Sequence, residues 1–166
     1  MRALVVYSSK TGNTKAIAEV AAEAFGRDTV LALIAEAPDY HEFDLVAVGF
    51  WIDKGHPNHE IQKYIRRLKG KKVVLFFTLG ANPDSEHAQE CLRNAETMFA
   101  GNEIVGHFIC QGKIDPANIK WMRQMVVGGP RISAGDARWG QAAEHPGPDD
   151  LIRAREVFRE ISLRLQ

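Results

Sequence analysis

Cysteine is almost missing from this 166-residue chain: Cys91 and Cys110 are the only two, far apart and outside any Cys-x-x-Cys spacing. That excludes a disulfide scaffold, and two reduced, structural thiols are expected. An excess of charge of one sign is missing too. The 21 basic residues balance 21 acidic ones, giving no electrostatic case for nucleic acid or a membrane surface as partner. No apolar run approaches the ~20 residues of a membrane span. The start, Met1-Arg2-Ala3-Leu4-Val5-Val6-Tyr7, is too short and too β-branched for a signal segment, so the cytoplasm is the expected compartment. Metal-ligand spacing is also lacking. His56 and His59 stand three apart, as a helical pair would, but surface histidines flanking a helix start account for them more simply.

What is present is an alternation of strand-like and helix-like segments, the pattern of a parallel sheet covered on both faces. Arg2–Tyr7 is a compact β-rich run. Lys15–Phe25 follows, with Ile17, Val20, Ala21 and Ala24 on one helical face and Gly26 as its stop. Thr29–Ile34 and Asp44–Gly49 read as the second and third strands. Pro57 is placed to open a helix carrying Ile61, Tyr64, Ile65 and Leu68, closed at Gly70. Lys72–Leu79 reads as the fourth strand. Asp84 or Ser85 is the expected cap of a helix lined by Ala88, Cys91, Leu92, Ala95, Met98 and Phe99. Glu103–Cys110 is the fifth strand, and a last helix begins near Pro148-Asp149-Asp150, whose acids suit the positive dipole end. One domain over residues 1–166 is expected, with an extra segment near 113–147 before the last helix. Within it, Asp115-Pro116 starts a short helix with Ile119, Met122 and Val126, and Gly128–Gly147 forms a loop containing Trp139.

In an open parallel sheet, ligands sit beyond the carboxyl ends of the strands. Three loops fall there. The first is Ser8–Thr14, where Ser8, Ser9, Thr11 and Thr14 bring hydroxyls, Gly12 brings flexibility and Asn13 an amide. Free N–H groups and the dipole make a helix N-terminus an anion site. Composition alone leaves an ordinary polar turn, capped by Thr14, as the competing account. Other doubly wound proteins fit poorly. The P-loop pattern G-x-x-x-x-G-K-[ST] is absent. A receiver domain's acidic cluster is replaced by Tyr7-Ser8-Ser9, and the first loop has no cysteine for a phosphatase.

Ser9-x-Thr11-Gly12-x-Thr14, directly after a first strand, resembles the FMN-phosphate loop of flavodoxins, (T/S)-x-T-G-x-T. The resemblance implies an α/β fold: a three-layer, doubly wound, five-stranded parallel sheet in order 2-1-3-4-5. It implies FMN, held by Ser9, Lys10, Thr11, Gly12, Asn13 and Thr14 at the phosphate. It also implies flavin contacts from Phe50, Trp51, Ile52, Asp53, Lys54 and Gly55 in the second loop. There Trp51 corresponds to a stacking aromatic and Gly55 to a residue whose peptide flips toward reduced N5. The third loop contributes Thr78, Leu79 and Gly80. No aromatic occurs from Thr78 through Asp84, so one flavin face is open or covered by Trp121 or Trp139.

Two departures stand out. Flavodoxins are acidic and this chain is neutral, and the 113–147 stretch exceeds a short flavodoxin. The runs FWIDKG, FFTLGANPDSEH and FICQGKIDP resemble a divergent flavodoxin-like group, some of whose members accompany bilirubin reductases. The expected function is electron transfer to or from a redox partner protein, a reductase or an acceptor enzyme, with no catalytic side chain required. The alternative is an NAD(P)H-dependent flavin- or quinone-type oxidoreductase acting on a small substrate.

Overall fold

The computed structural model describes residues 1–125 and 139–166. Five parallel strands form the central sheet: β1 (Ala3–Tyr7), β2 (Thr29–Leu33), β3 (Leu45–Asp53), β5 (Lys72–Leu79) and β6 (Glu103–Gln111). They lie in the order β2-β1-β3-β5-β6. A two-residue strand, β4 (His56–Pro57), folds back antiparallel on the end of β3. Counting parallel strands alone, this is the 2-1-3-4-5 order.

Helices α1 (Asn13–Phe25) and α5 (Pro148–Arg164) cover one face; α2 (His59–Arg67) and α3 (Glu86–Met98) cover the other. The strands read as continuous apolar runs because alternate residues serve opposite cores. Leu4, Val6, Val46, Val48, Leu75 and Phe77 pack against α2 and α3, whereas Ala3, Val5, Ala47, Val74 and Phe76 pack against α1 and α5. Phe158 of α5 anchors the second core, its ring meeting Phe25, Phe76 and Phe108 at 5.6–5.7 Å between centroids. No described helix is long and apolar enough to cross a membrane.

Local signals act largely as the sequence suggests. Gly26, at φ 101°, ends α1, and the Ser85 hydroxyl caps α3 by accepting from the Ala88 N–H at 3.2 Å. Three expectations need correction. Helix α1 starts at Asn13, two residues before the expected Lys15, with Gly12 and not Thr14 in the cap position. Strand β3 continues past Gly49 to Asp53, and Lys54 and Gly55, at φ 49° and 83°, form a tight turn back into β4. Pro57 belongs to that hairpin, at a place where no N–H is needed, and Asn58 precedes the first turn of α2 instead. His56 and His59 therefore lie on different elements and are not a helical pair.

The segment after β6 leaves through Gly112 and Lys113 into α4 (Pro116–Met125) and returns through a helical turn at 139–142. Val126 and the 128–138 part of the expected loop lie outside the described residues. The two ends of the excursion meet, because the Lys113 N–H donates to the His145 carbonyl at 3.0 Å. Asp150 then fixes the start of α5 by accepting from the Gly147 N–H and from His145 Nδ1.

At Gly49 an added Cβ would stand 2.3 Å from the Phe76 ring, between two strands that cannot part. Gly49→Ala is expected to destabilise the fold by about 1–3 kcal/mol through overpacking, read as a lower urea midpoint. An unchanged midpoint would show that the sheet yields at this point.

Candidate functional site

The carboxyl ends of β1, β3, β5 and β6 surround a cavity of about 240 Å³. Its wall is built from the β1–α1 turn (Lys10, Thr11, Asn13, Thr14), the β3 end (Trp51, Ile52, Asp53, Lys54) and the β5 end (Thr78, Leu79, Gly80). The β6–α4 connection (Lys113, Ile114, Asp115, Asn118) closes it. Eleven of the fifteen residues named from sequence line this one space; Ser9 and Gly12 lie on the same turn.

The turn is unusual in its backbone. Gly12 takes the left-handed φ of 89° and offers no capping side chain. Among the described residues, the N–H groups of Ser9 through Thr14 meet no acceptor; the Ser9 hydroxyl accepts only from the Lys15 N–H at 3.3 Å. A consecutive set of free donors at the positive end of a 13-residue helix is an anion-binding arrangement.

Four side-chain contacts hold the turn in place. Ser8 donates to Glu60 at 3.1 Å and accepts from buried Asn58 at 2.9 Å. Asn58 in turn clasps Trp51, donating its N–H to the Trp51 carbonyl at 3.0 Å and accepting weakly from the Trp51 N–H. On the other side, Asn13 donates its side-chain amide to the Lys113 carbonyl at 2.9 Å. Beneath the cavity the Thr14 and Thr78 hydroxyls bond at 2.9 Å, both almost wholly buried. One proton lies between the two oxygens, which leaves the other hydroxyl's proton uncommitted.

The walls have distinct chemistry. Trp51 is half-buried and presents its ring to the cavity, with Lys10 Nζ 5.8 Å from the ring centroid. Lys10 also bonds Asp115 at 2.8 Å, spanning the cavity mouth. That ammonium, and then the Ala117 N–H, hold the Asp115 carboxyl below the usual carboxylate range. Ile114 lies close over Gly80, where an added Cβ would stand 2.7 Å from its Cγ1.

Two residues named from sequence face elsewhere. Phe50 is fully buried and stacks on Phe77 at 5.4 Å, within the α2/α3 core. The Gly55 carbonyl accepts from Asn94 of α3 at 3.0 Å, so it is turned toward that helix. Neither remaining tryptophan lines the cavity: Trp121 is exposed on α4, and Trp139 lies under the Arg123 guanidinium. Asn58, Ile114 and Asp115 were missed from sequence. Both thiols are buried, and burial pushes Cys110 up to about 12, so neither supplies a nucleophile. Among the described residues no group of three or more metal-binding side chains occurs.

Comparison with known proteins agrees with this geometry. The flavodoxin domain family matches residues 4–159. A flavodoxin-like domain-containing protein, BilS, from Clostridioides difficile (strain CD3) is 38% identical, the alignment covering 99% of this chain and 98% of the relative. Among solved structures, oxidised flavodoxin 2 from Bacillus cereus superposes with a TM-score of 0.61 at 19% identity, each chain covered in full (100%). A Lactobacillus acidophilus NCFM flavoprotein in complex with FMN superposes at 0.54 with 17% identity, over 65% of this chain and 92% of its own. The chain belongs to the flavodoxin domain family. FMN is the cofactor that membership implies.

The Lys10–Asp115 bond has a titration consequence. Because the Asp115 value is lowered in the folded protein, the bond's contribution is complete above the unfolded carboxyl value. It is lost as pH falls through the folded value. Lys10→Met is expected to move the Asp115 titration upward, toward an ordinary carboxylate, in a carboxyl-carbon NMR titration. No upward movement would remove Lys10 as the cause.

Proposed function

We infer that the chain holds FMN with its phosphate on the Ser9–Thr14 turn and its ring in the cavity beside Trp51, and relays electrons to or from a partner oxidoreductase in the cytoplasm. The observation that carries this reading is the unbroken run of acceptor-free N–H groups at the start of α1. A dianionic phosphoryl end supplies the acceptors that the turn lacks, and the free proton of the Thr14/Thr78 pair adds a donor from below. When bound, the flavin supplies the redox chemistry, and the protein supplies binding, orientation and electrostatics.

The donor set fits such a group. The Ser9 and Thr11 hydroxyls and the Gly12, Asn13 and Thr14 amides surround the phosphate position, with the Lys10 ammonium beside it. Trp51 offers the ring face, held by Asn58, and Ile114 offers an apolar cover on the β5 side. The Ile52, Asp53, Lys54, Thr78, Leu79 and Gly80 backbones border the remaining edge. Phe50 supports this wall from behind, and Gly55 belongs to its turn. The cavity, at about 240 Å³, lies just under the ~300–1,000 Å³ of ligand pockets, and the Lys10–Asp115 bond crosses its mouth.

The carrier reading follows from membership of the flavodoxin domain family, and the alternative is an enzyme that takes hydride from NAD(P)H onto the flavin. Potentiometric titration of the FMN-loaded protein separates the two. A carrier gives Nernst slopes near ~59 mV per decade, and a two-electron enzyme near ~30 mV with oxidation of NAD(P)H. Loss of all flavin absorbance on desalting would end both readings. Thr14→Ala is expected to weaken FMN affinity by about 1–2 kcal/mol, checked by fluorescence titration, and an unchanged Kd would count against this hydroxyl.

A further inference from the structure

Charge is placed unevenly on a chain whose formal net charge is zero. Lys10, Lys54 and Lys113 line the cavity, against the carboxylates Asp53 and Asp115, the second already bonded to Lys10. Helix α4 leads away from this mouth and carries Lys120 and Arg123 with no acid in its ten residues. Among the described residues, and leaving Arg123 out of the balance, four lysines (Lys10, Lys54, Lys113 and Lys120) stand around the opening against two carboxylates.

The same helix carries the chain's most exposed aromatic ring. Trp121 is 61% exposed, although indole is among the side chains most favoured by burial. Pro116, Ile119, Lys120, Arg123 and Gln124 form a shallow groove on α4, and Arg123 rests over Trp139 at 5.6 Å. Aromatic and cationic side chains, gathered beside a cofactor mouth, have the composition of an interface hot spot. An exposed indole on a helix that carries lysine and no acid selects a protein surface that is acidic and has a hydrophobic centre.

We propose that the α4 face around Trp121, continuous with the lysine-lined mouth, docks an acidic electron-transfer partner. The inference rests on the electron-relay reading and specifies its partner. Its polarity is opposite to that of an acidic shuttle, which presents carboxylates to a basic partner. Cations at the mouth accelerate encounter with an acidic surface, and salt weakens the effect.

The experiment uses FMN-loaded protein, reduced anaerobically and mixed with cytochrome c in its native basic form or in a fully succinylated acidic form. One electron passes from the reduced flavoprotein to the ferric haem, which becomes ferrous. At low salt the succinylated form should be reduced roughly tenfold faster, and the two rates should converge at about 0.2 M salt. Lys120→Glu/Gln124→Glu should shrink or invert that ratio, and Trp121→Ala should slow the acidic acceptor at both salt levels. FMN retention should be unchanged in both variants. Faster reduction of native cytochrome c, or a ratio indifferent to salt and to the double variant, would overturn the proposal.

Retention on immobilised succinylated cytochrome c keeps the two readings apart. If wild type binds and elutes with salt while the double variant does not, the surface stands even where no electron transfer is seen, and the relay reading falls. Equal retention of both proteins overturns the surface.

Discussion

Backbone N–H groups without partners are expensive, about 1–3 kcal/mol each when kept from water. This fold concentrates them in one turn. Both faces of the parallel sheet are occupied by helices, so its strand ends are the open part of the layer. At those ends the chain reverses direction around β1, with β2 on one side and β3 on the other. The helix after β1 therefore points its unpaired donors into the crevice that the reversal creates. Everything else at the site positions that turn. Ser8 is tied to Asn58 and Glu60, Asn13 to the β6–α4 connection, and Thr14 to Thr78 across the sheet.

Around this fixed centre the walls differ in stiffness. The β3 side is rigid because strand, tight turn and β4 form one hairpin, with Asn58 holding Trp51 and Asn94 holding the turn. The opposite side closes through side chains: Ile114 over Gly80, and the ammonium–carboxylate contact between Lys10 and Asp115. An ion pair of this kind, with Lys10 half-exposed, exchanges for water at little cost. Opening that side thus disturbs neither core.

The architecture was largely legible in the sequence because burial on both faces leaves continuous apolar runs that nothing else resembles. The Ser9–Thr14 turn could be singled out because its six residues are adjacent. What escaped depends on distance or on parity. Asn58 and Glu60 reach Ser8 across roughly fifty positions, and Lys113 reaches Asn13 across 100. No local pattern announces such partners. Phe50 was a matter of parity: it continues Val46 and Val48 toward the α2/α3 core, and Trp51 takes the other side. Alternation along β3 would have separated them. The hairpin was hidden by Pro57, since proline suits a strand edge as well as a helix start.

The two ends of the stretch after β6 meet at the Lys113–His145 backbone contact, with α5 capped immediately behind it. A detour closed at its neck tolerates changes of length. Doubling its length adds only about 0.6 kcal/mol of closure entropy. Length can therefore be added beyond Asn118 at small cost, whereas Ile114, Asp115 and Asn118 at the neck remain part of the cavity wall.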